Sequence, residues 1–261
     1  MSAEMILPRM PGTLHQAYTI RKIKQDNHRT RTYTFDRALP GTPGQFVMVW
    51  LPGNTEKPFC LAGDTPLQIT IVAVGPFTDI VHELKVGDRM WVRGPLGQGY
   101  RPYGRRILLA GGGYGAAPLL FLARQVVASG MEADACVGAV TAGEVLLAED
   151  FKALGAHLHT TTDDGSLGEK GLITQPIERL LKDPTTRPDG GVYACGPVKM
   201  LEAIDALCAR LGVARQLSWE AHMRCGVGLC GSCEIALPVS QNDADRAAWL
   251  VCLEGPVSTS V

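Results

Sequence analysis

Four cysteines crowd the last 37 positions of the chain: Cys225, Cys230, Cys233 and Cys252. The first three read C-x4-C-x2-C and the fourth follows 19 positions later. That is the plant-type spacing for a 2Fe–2S cluster, in which four thiolates hold two irons, two on each. Gly226, Gly228, Gly231 and Ser232 between them are small, so backbone N–H groups can approach the sulfurs and help set the reduction potential. The competing chemistry is a four-cysteine zinc site. Zinc ribbons pair two C-x2-C hairpins, however, and only one is present. Unliganded thiols are the third reading of these residues. Disulfides are disfavoured, because the other four cysteines, Cys60, Cys136, Cys195 and Cys208, are scattered and a chain of 261 residues does not need them to fold.

A second group could bind a phosphate. Gly111, Gly112, Gly113, Tyr114 and Gly115 follow an apolar run and open a helical stretch. A helix N-terminus carries unpaired N–H groups and partial positive charge, and glycines remove the Cβ that would block a pyrophosphate. The pattern is not G-x-G-x-x-G, so plain helix–strand packing explains it equally well. Cys195, Gly196 and Pro197 form a similar junction downstream. Two such turns at the carboxyl ends of parallel strands favour a ligand site. Cys195 itself reads either as a small buried hydrophobe or as pocket floor. The Thr162–Gly165 turn is either solvated or ribose-facing.

These residues need elements to hold them. Short β-rich segments, 18–23, 31–35, 45–51, 67–74 and 89–93, are separated by Gly-Pro punctuation, which predicts a small antiparallel barrel or sandwich. After Tyr103 strands and helices alternate: strands over 106–110, 133–140, 157–162 and 191–195, helices over 116–129, 149–154, 174–181 and 198–211. Alternation of this kind predicts a doubly wound parallel sheet. The last 40 or so residues return to short, cysteine-rich segments. The expected fold is therefore β plus α/β, with units at 13–102, 103–219 and 220–261.

Composition narrows the function. Net charge is −1, from 25 basic and 26 acidic residues, and there is no basic tract. A nucleic-acid or anionic-membrane partner held by charge is disfavoured. No apolar stretch reaches 18 residues, and the opening MSAEMILPRMPG lacks the pattern of a secretion signal, so the expectation is a soluble cytoplasmic protein. Thirty glycines exceed the roughly 7% background and belong to turns and close approaches.

Taken in order, these motifs resemble the ferredoxin-NAD(P) reductase superfamily, and most closely the electron-transfer subunits of NAD-using, heteromeric dihydroorotate dehydrogenase. Lys57-Pro58-Phe59-Cys60 stands where the family has Arg-Pro-x-Ser. Gly75 to Thr78, His82 to Leu84 and Val92 to Gly97 resemble its flavin-domain run. Gly111 to Leu119, Thr162 to Thr174 and Tyr193 to Pro197 resemble its nicotinamide domain. Cys225 to Cys233 with Cys252 to Val257 resembles its compact cluster tail. Dioxygenase-type reductases carry a complete ferredoxin domain that 40 residues cannot hold.

The resemblance implies an N-terminal FAD-binding β-barrel, a parallel NAD-binding domain and a small iron–sulfur domain. Lys57, Pro58, Phe59 and Cys60 would lie along the flavin, Thr70, Ile71 and Val72 would line it on the next strand, and Phe77 and Thr78 would meet its pyrophosphate. Gly111, Gly112, Gly113, Gly115, Cys195, Gly196 and Pro197 would face NAD, and the four clustered cysteines would hold 2Fe–2S. Electrons would pass between NAD and a separate FMN-containing catalytic subunit that oxidises dihydroorotate for pyrimidine synthesis, in a heterotetramer of two plus two. No acid–base catalytic residue is required. Lys57 and Cys60 depart from the family arginine and serine, replacing a planar fork with a point charge and a hydroxyl with a weaker donor. Val140 to Glu144, after the second strand, offers no Arg or Lys for a 2′-phosphate and favours NAD over NADP. The alternatives are a diaphorase subunit of a hydrogenase or ferredoxin-NADP transhydrogenase, a lone NADH oxidase, and a zinc-stabilised binding module.

Overall fold

In the computed structural model the described residues are 14–236 and 248–260. The opening segment, the expected start at 13, the 237–247 part of the C-terminal unit and residue 261 lie outside them.

Six antiparallel strands close the N-terminal barrel: β1 Gln16–Asn27, β2 Thr30–Phe35, β3 Phe46–Trp50, β4 Glu56–Asp64, β5 Leu67–Val72 and β6 Arg89–Leu96. Their order around the barrel is β1-β2-β5-β4-β3-β6, and β6 pairs back onto β1. Alternation decides which side chains fill it. On β5, Leu67, Ile69 and Ile71 are buried while Gln68, Thr70 and Val72 look outward. Tyr18, Ile20, Tyr33, Val47, Val49 and Met90 complete the filling. A helix absent from the sequence expectation, α1 Pro76–Glu83, plugs one end with Phe77 and Val81, and the Tyr33 hydroxyl donates to the Val81 carbonyl at 3.0 Å.

The second unit is a seven-stranded sheet. Its strands are β7 Arg106–Gly112, β8 Glu132–Ala139, β9 His157–Thr162, β10 Glu169–Lys170, β11 Val192–Cys195 and β12 Arg215–Ser218, joined at the edge by β15 Val257–Ser260. The spatial order is β10-β9-β8-β7-β11-β12-β15. All neighbours run parallel except β12 and β15, so the chain's last strand makes the sheet mixed. Period-2 alternation on β7 splits the core. Leu108 and Ala110 face helices α4 Thr174–Lys182 and α5 Val198–Leu211, while Ile107 and Leu109 face α2 Ala116–Ala128 and α3 Ala148–Ala153. Strand order reverses between β7 and β11, which opens a crevice at their carboxyl ends.

The units are not separate beads. Phe121 of α2 is buried in the barrel core, and the Tyr100 hydroxyl donates to the Ala194 carbonyl at 2.8 Å. The C-terminal segment packs on both: Trp219, Met223, Cys233, Trp249 and Cys252 share one apolar cluster with Phe46 and Met48 of the barrel and Leu217 of the sheet. A two-stranded ribbon, β13 Glu234–Ile235 with β14 Trp249–Leu250, and the short helix α6 Val251–Glu254 carry the fourth cysteine inward.

Candidate flavin, dinucleotide and cluster sites

The barrel and the sheet meet around a cavity of about 300 Å³. Pro58, Phe59 and Cys60 form one wall from β4, and Thr70 and Val72 continue it on β5. These are outward-facing positions of the barrel, so strand alternation presents them and turns Ile71 into the core instead. Cys195 comes from the end of β11, and Trp219 and Glu220 come from the segment leading to the cysteine loop. Thr78 also lines the cavity. Its hydroxyl accepts from the N–H groups of Val74 and Gly75 at 2.9 and 3.1 Å and thereby shapes the turn into α1. Phe77 lies behind, buried and stacked on Phe59 with ring centroids 6.2 Å apart. Lys57 is not among the lining residues; it sits on β4 opposite Val49 of β3.

Cys60 and Cys195 both line this cavity, and their thiols act on each other. The neighbouring Cys60 thiol, together with burial, pushes the Cys195 thiol well above the usual range. Cys195 is therefore a protonated, uncharged part of the wall.

A larger cavity, about 590 Å³, lies at the carboxyl end of the sheet, lined by Gly112, Gly113 and Pro197. Its glycines have different jobs. A Cβ on Gly115 would lie 2.1 Å from the Cys195 carbonyl oxygen, and one on Gly112 would meet the Met200 sulfur at 2.5 Å. Gly196 would push its Cβ toward Met200 and the Gly112 backbone, and Gly111 toward Ala116. These four let the two turns pack together. Gly113 differs: at φ +52° its Cβ would meet nothing within 4 Å, so its backbone is open to the cavity. The packing reading therefore holds for four of the glycines, and Gly113 alone leaves open backbone at the cavity.

Tyr114 and Val72 line both cavities and mark where they join. The Tyr114 hydroxyl donates to the Glu220 carboxylate. The sequence reading passed over Glu220 and Arg29 and had Tyr114 only as a member of the glycine turn, because their proximity depends on three segments meeting. Arg29, in the turn between β1 and β2, reaches Glu144 at 2.7 Å over the wall of the larger cavity. A cationic side chain therefore does stand beside the loop after the second strand.

The cysteine loop wraps tightly because Gly226, Gly228 and Gly231 adopt φ values of +65°, +77° and +69°. Backbone N–H groups consequently turn toward sulfur. Val227 and Leu229 approach Cys225 Sγ at 3.5 and 3.3 Å, and Gly228 approaches Cys252 Sγ at 3.2 Å. Thiol contacts come in two pairs, Cys225 with Cys230 and Cys233 with Cys252. Two pairs beneath converging N–H donors fit a two-iron cluster, with a pair on each iron. Hydrogen bonds from Ser232 hold the exposed Cys230 thiol down to about 6, while burial raises Cys252 to about 12, so binding the cluster must displace the latter's proton. Arg93 fixes the loop to the barrel. Its guanidinium is bidentate to Glu56 at 2.5 and 2.9 Å and also donates to the Cys225 carbonyl at 2.6 Å.

The family model for the iron–sulfur cluster binding domain of dihydroorotate dehydrogenase B matches residues 220–260. A Methanothermobacter thermautotrophicus protein named "Probable dihydroorotate dehydrogenase B (NAD(+)), electron transfer subunit" is 40% identical over 244 residues, 91% of this chain and 86% of that one. The chain belongs to this family of electron-transfer subunits. A Thermococcus kodakarensis member is 36% identical, covering 94% of this chain and 96% of its own length. Among solved structures, an NADH-dependent reduced ferredoxin-NADP oxidoreductase superposes with a TM-score of 0.81 at 26% identity, over 93% of this chain and 87% of the other. The ferredoxin reductase of carbazole 1,9a-dioxygenase shares the fold at a TM-score of 0.65 and 23% identity, over 78% of this chain and 67% of its own. As a family member the chain is a flavin and iron–sulfur oxidoreductase subunit that works with a catalytic partner subunit.

Proposed function

We propose that this chain relays electrons between NAD, bound at the sheet crevice, and a dihydroorotate-oxidising partner subunit, through FAD in the barrel–sheet cavity and a 2Fe–2S cluster on the cysteine loop. The carrying observation is that the three sites adjoin. Tyr114 and Val72 belong to both cavities, and Trp219, Glu220 and Met223 run from the flavin cavity into the cysteine loop. When bound, a flavin would supply exchange of a hydride, two electrons together, on the NAD side and of single electrons on the cluster side.

The chain's own residues supply position and exclusion. Pro58 to Cys60, Thr70 and Val72 offer a largely apolar wall to a planar ring. Gly113 leaves backbone room for a pyrophosphate, and the turns of α2 and α5 point their N-termini at it. Cys225, Cys230, Cys233 and Cys252 hold the cluster, and Arg93 ties its loop to the flavin-bearing barrel. Cys230 is exposed while Cys233 and Cys252 are buried, so the Cys230 side of the cluster faces the partner. The partner carries FMN, and the assembly is a heterotetramer of two plus two. The complex works in the cytoplasm, where thiolate ligands persist in a reducing pool. Among the described residues no helix is long and apolar enough to cross a membrane.

The test is reconstitution with a dihydroorotate dehydrogenase catalytic subunit. The expected result is dihydroorotate-dependent reduction of NAD that needs both chains. The likeness to the ferredoxin-NADP oxidoreductase sets the competing outcome. Electron exchange with reduced ferredoxin, without any with dihydroorotate, would overturn the proposal in favour of a diaphorase role.

A further inference from the structure

We infer that Arg93, clamped by Glu56, is a positioning residue for the iron–sulfur cluster and sets how readily the cluster takes up an electron. The inference rests on the reading of Cys225 as a cluster ligand. Side chains alternate along β6, and Val92 points into the barrel core, so Arg93 points outward. It is nevertheless only 8% exposed, because the cysteine loop lies over it. The loop seats on the barrel at this spot. Met48 stands opposite Arg93 in the β3–β6 pairing, and a Cβ on Gly226 would lie 3.1 Å from the Met48 side chain.

The guanidinium makes two kinds of contact. Nε and Nη2 donate to Glu56 Oε1 and Oε2 at 2.5 and 2.9 Å, a bidentate pair, and Nη2 also donates to the Cys225 carbonyl at 2.6 Å. His15 Nε2 lies 2.7 Å from Glu56 Oε1 and gives the carboxylate a second anchor. A positive and a negative charge therefore stand together against the backbone of a ligand residue. A cluster held by four thiolates is anionic and becomes more so on reduction, so its potential responds to the net charge around it. Charges out of solvent act most, because salt and water screen them less. Arg224, next to Cys225 in the chain, is exposed and screened. Arg93 favours the reduced form, while Glu56 opposes it and keeps the guanidinium in place. Removing either charge uncovers the other.

The test is an anaerobic redox titration of the holoprotein that follows the cluster by electron paramagnetic resonance, with iron content and melting temperature measured beside it. Uncovering one charge here is worth about tenfold in the reduction equilibrium, about 59 mV for a one-electron couple. Arg93→Gln leaves the Glu56 charge and should make the cluster about tenfold harder to reduce. Glu56→Gln leaves the guanidinium and should make it about tenfold easier. Arg93→Lys keeps the charge without the planar fork, so it should return the potential to within about threefold of the parent while melting as low as Arg93→Gln. Arg224→Gln should change the equilibrium by less than about twofold. A structural clamp alone would move Arg93→Gln and Glu56→Gln in the same direction. Should Arg93→Gln lose iron or fail to fold, easier reduction in Glu56→Gln decides. Shifts of one sign, no shift, or loss of iron from both variants overturns this inference and leaves the cluster site standing. An unsubstituted protein that takes up no cluster overturns the ligand reading and the inference together.

Discussion

The thiols of Cys60 and Cys195 are neighbours at the join between barrel and sheet, on the wall of the cavity that both line. One is the last residue of the Lys57–Cys60 motif on β4 and the other ends β11. On the proposed function, the pair marks where flavin ring and nicotinamide ring come together. Because Cys60 faces the cavity rather than the barrel core, substitutions there should separate cofactor binding from folding. Cys60→Ser is expected to keep flavin content and stability within about 1 kcal/mol. Cys60→Leu should fill the cavity and weaken flavin binding at least about tenfold, the scale of overpacking. The ratio of flavin to protein absorbance after dialysis, with circular dichroism as the fold control, reads both outcomes.

The glycines of the two turns should rank by what surrounds them. Gly115→Ala places a Cβ on the Cys195 carbonyl and should cost about 2–3 kcal/mol. Gly113→Ala, in open space at φ +52°, should cost only the left-handed penalty of about 1–2 kcal/mol. At roughly 2–4 °C per kcal/mol for a chain of this size, thermal melts resolve the two. Gly113→Ala should also weaken NADH binding, which Gly115→Ala could do only through misfolding.

Removing one cluster ligand should leave the flavin. Cys252→Ser breaks the inner thiol pair, and the expected protein has lost iron and its broad long-wavelength absorbance but retains flavin bands that NADH bleaches. Iron assay and visible spectroscopy decide it. Loss of flavin along with iron would mean that the cysteine loop and flavin cavity depend on each other more closely than the Arg93 link requires.

Acid stability should trace to Asp134. This carboxylate is buried on β8, an interior strand of the sheet, with Arg106 Nε at 2.6 Å and His159 Nε2 at 3.6 Å. Burial opposes ionisation, but the neighbouring His159 ring and the hydrogen-bonded Arg106 guanidinium outweigh it and hold the carboxyl below its ordinary 3.8. A depressed value means the stabilisation is complete above the unfolded pKa and disappears as pH falls through the folded one. Asp134→Asn should therefore cost about 3 kcal/mol at neutral pH, the scale of breaking a buried pair. The gap between mutant and parent melting temperatures should close as pH falls from above 3.8 down through the folded value.

Much of this organisation was legible in the residues, for physical reasons. Helix α5 begins and ends where periodicity placed it, because a long run with one apolar face admits one reading, and the bounds of the short, threonine-rich strand β9 also coincide with those expected. The cysteine spacing was equally explicit. Strand β4 escaped the strand reading because Pro58 and Gly63 interrupt its propensity, although neighbours pair with it on both sides. Helix α1 was too short to show a period, and β15 is assigned only by its antiparallel fit against β12. Arg29 and Glu220 could not be found in sequence at all, and Tyr114 showed only as a member of the glycine turn. Their roles come from contacts between segments about 106 to 115 residues apart, and nothing local announces them.

The central claim is that one chain connects NADH to an iron–sulfur cluster through a flavin, and an anaerobic visible spectrum before and after NADH addition tests it most directly. The account predicts flavin bands in the blue, cluster absorbance extending to longer wavelengths, and bleaching of both by NADH. A colourless protein after reconstitution with FAD and iron, or a fully loaded one whose cluster stays oxidised with NADH, would contradict it.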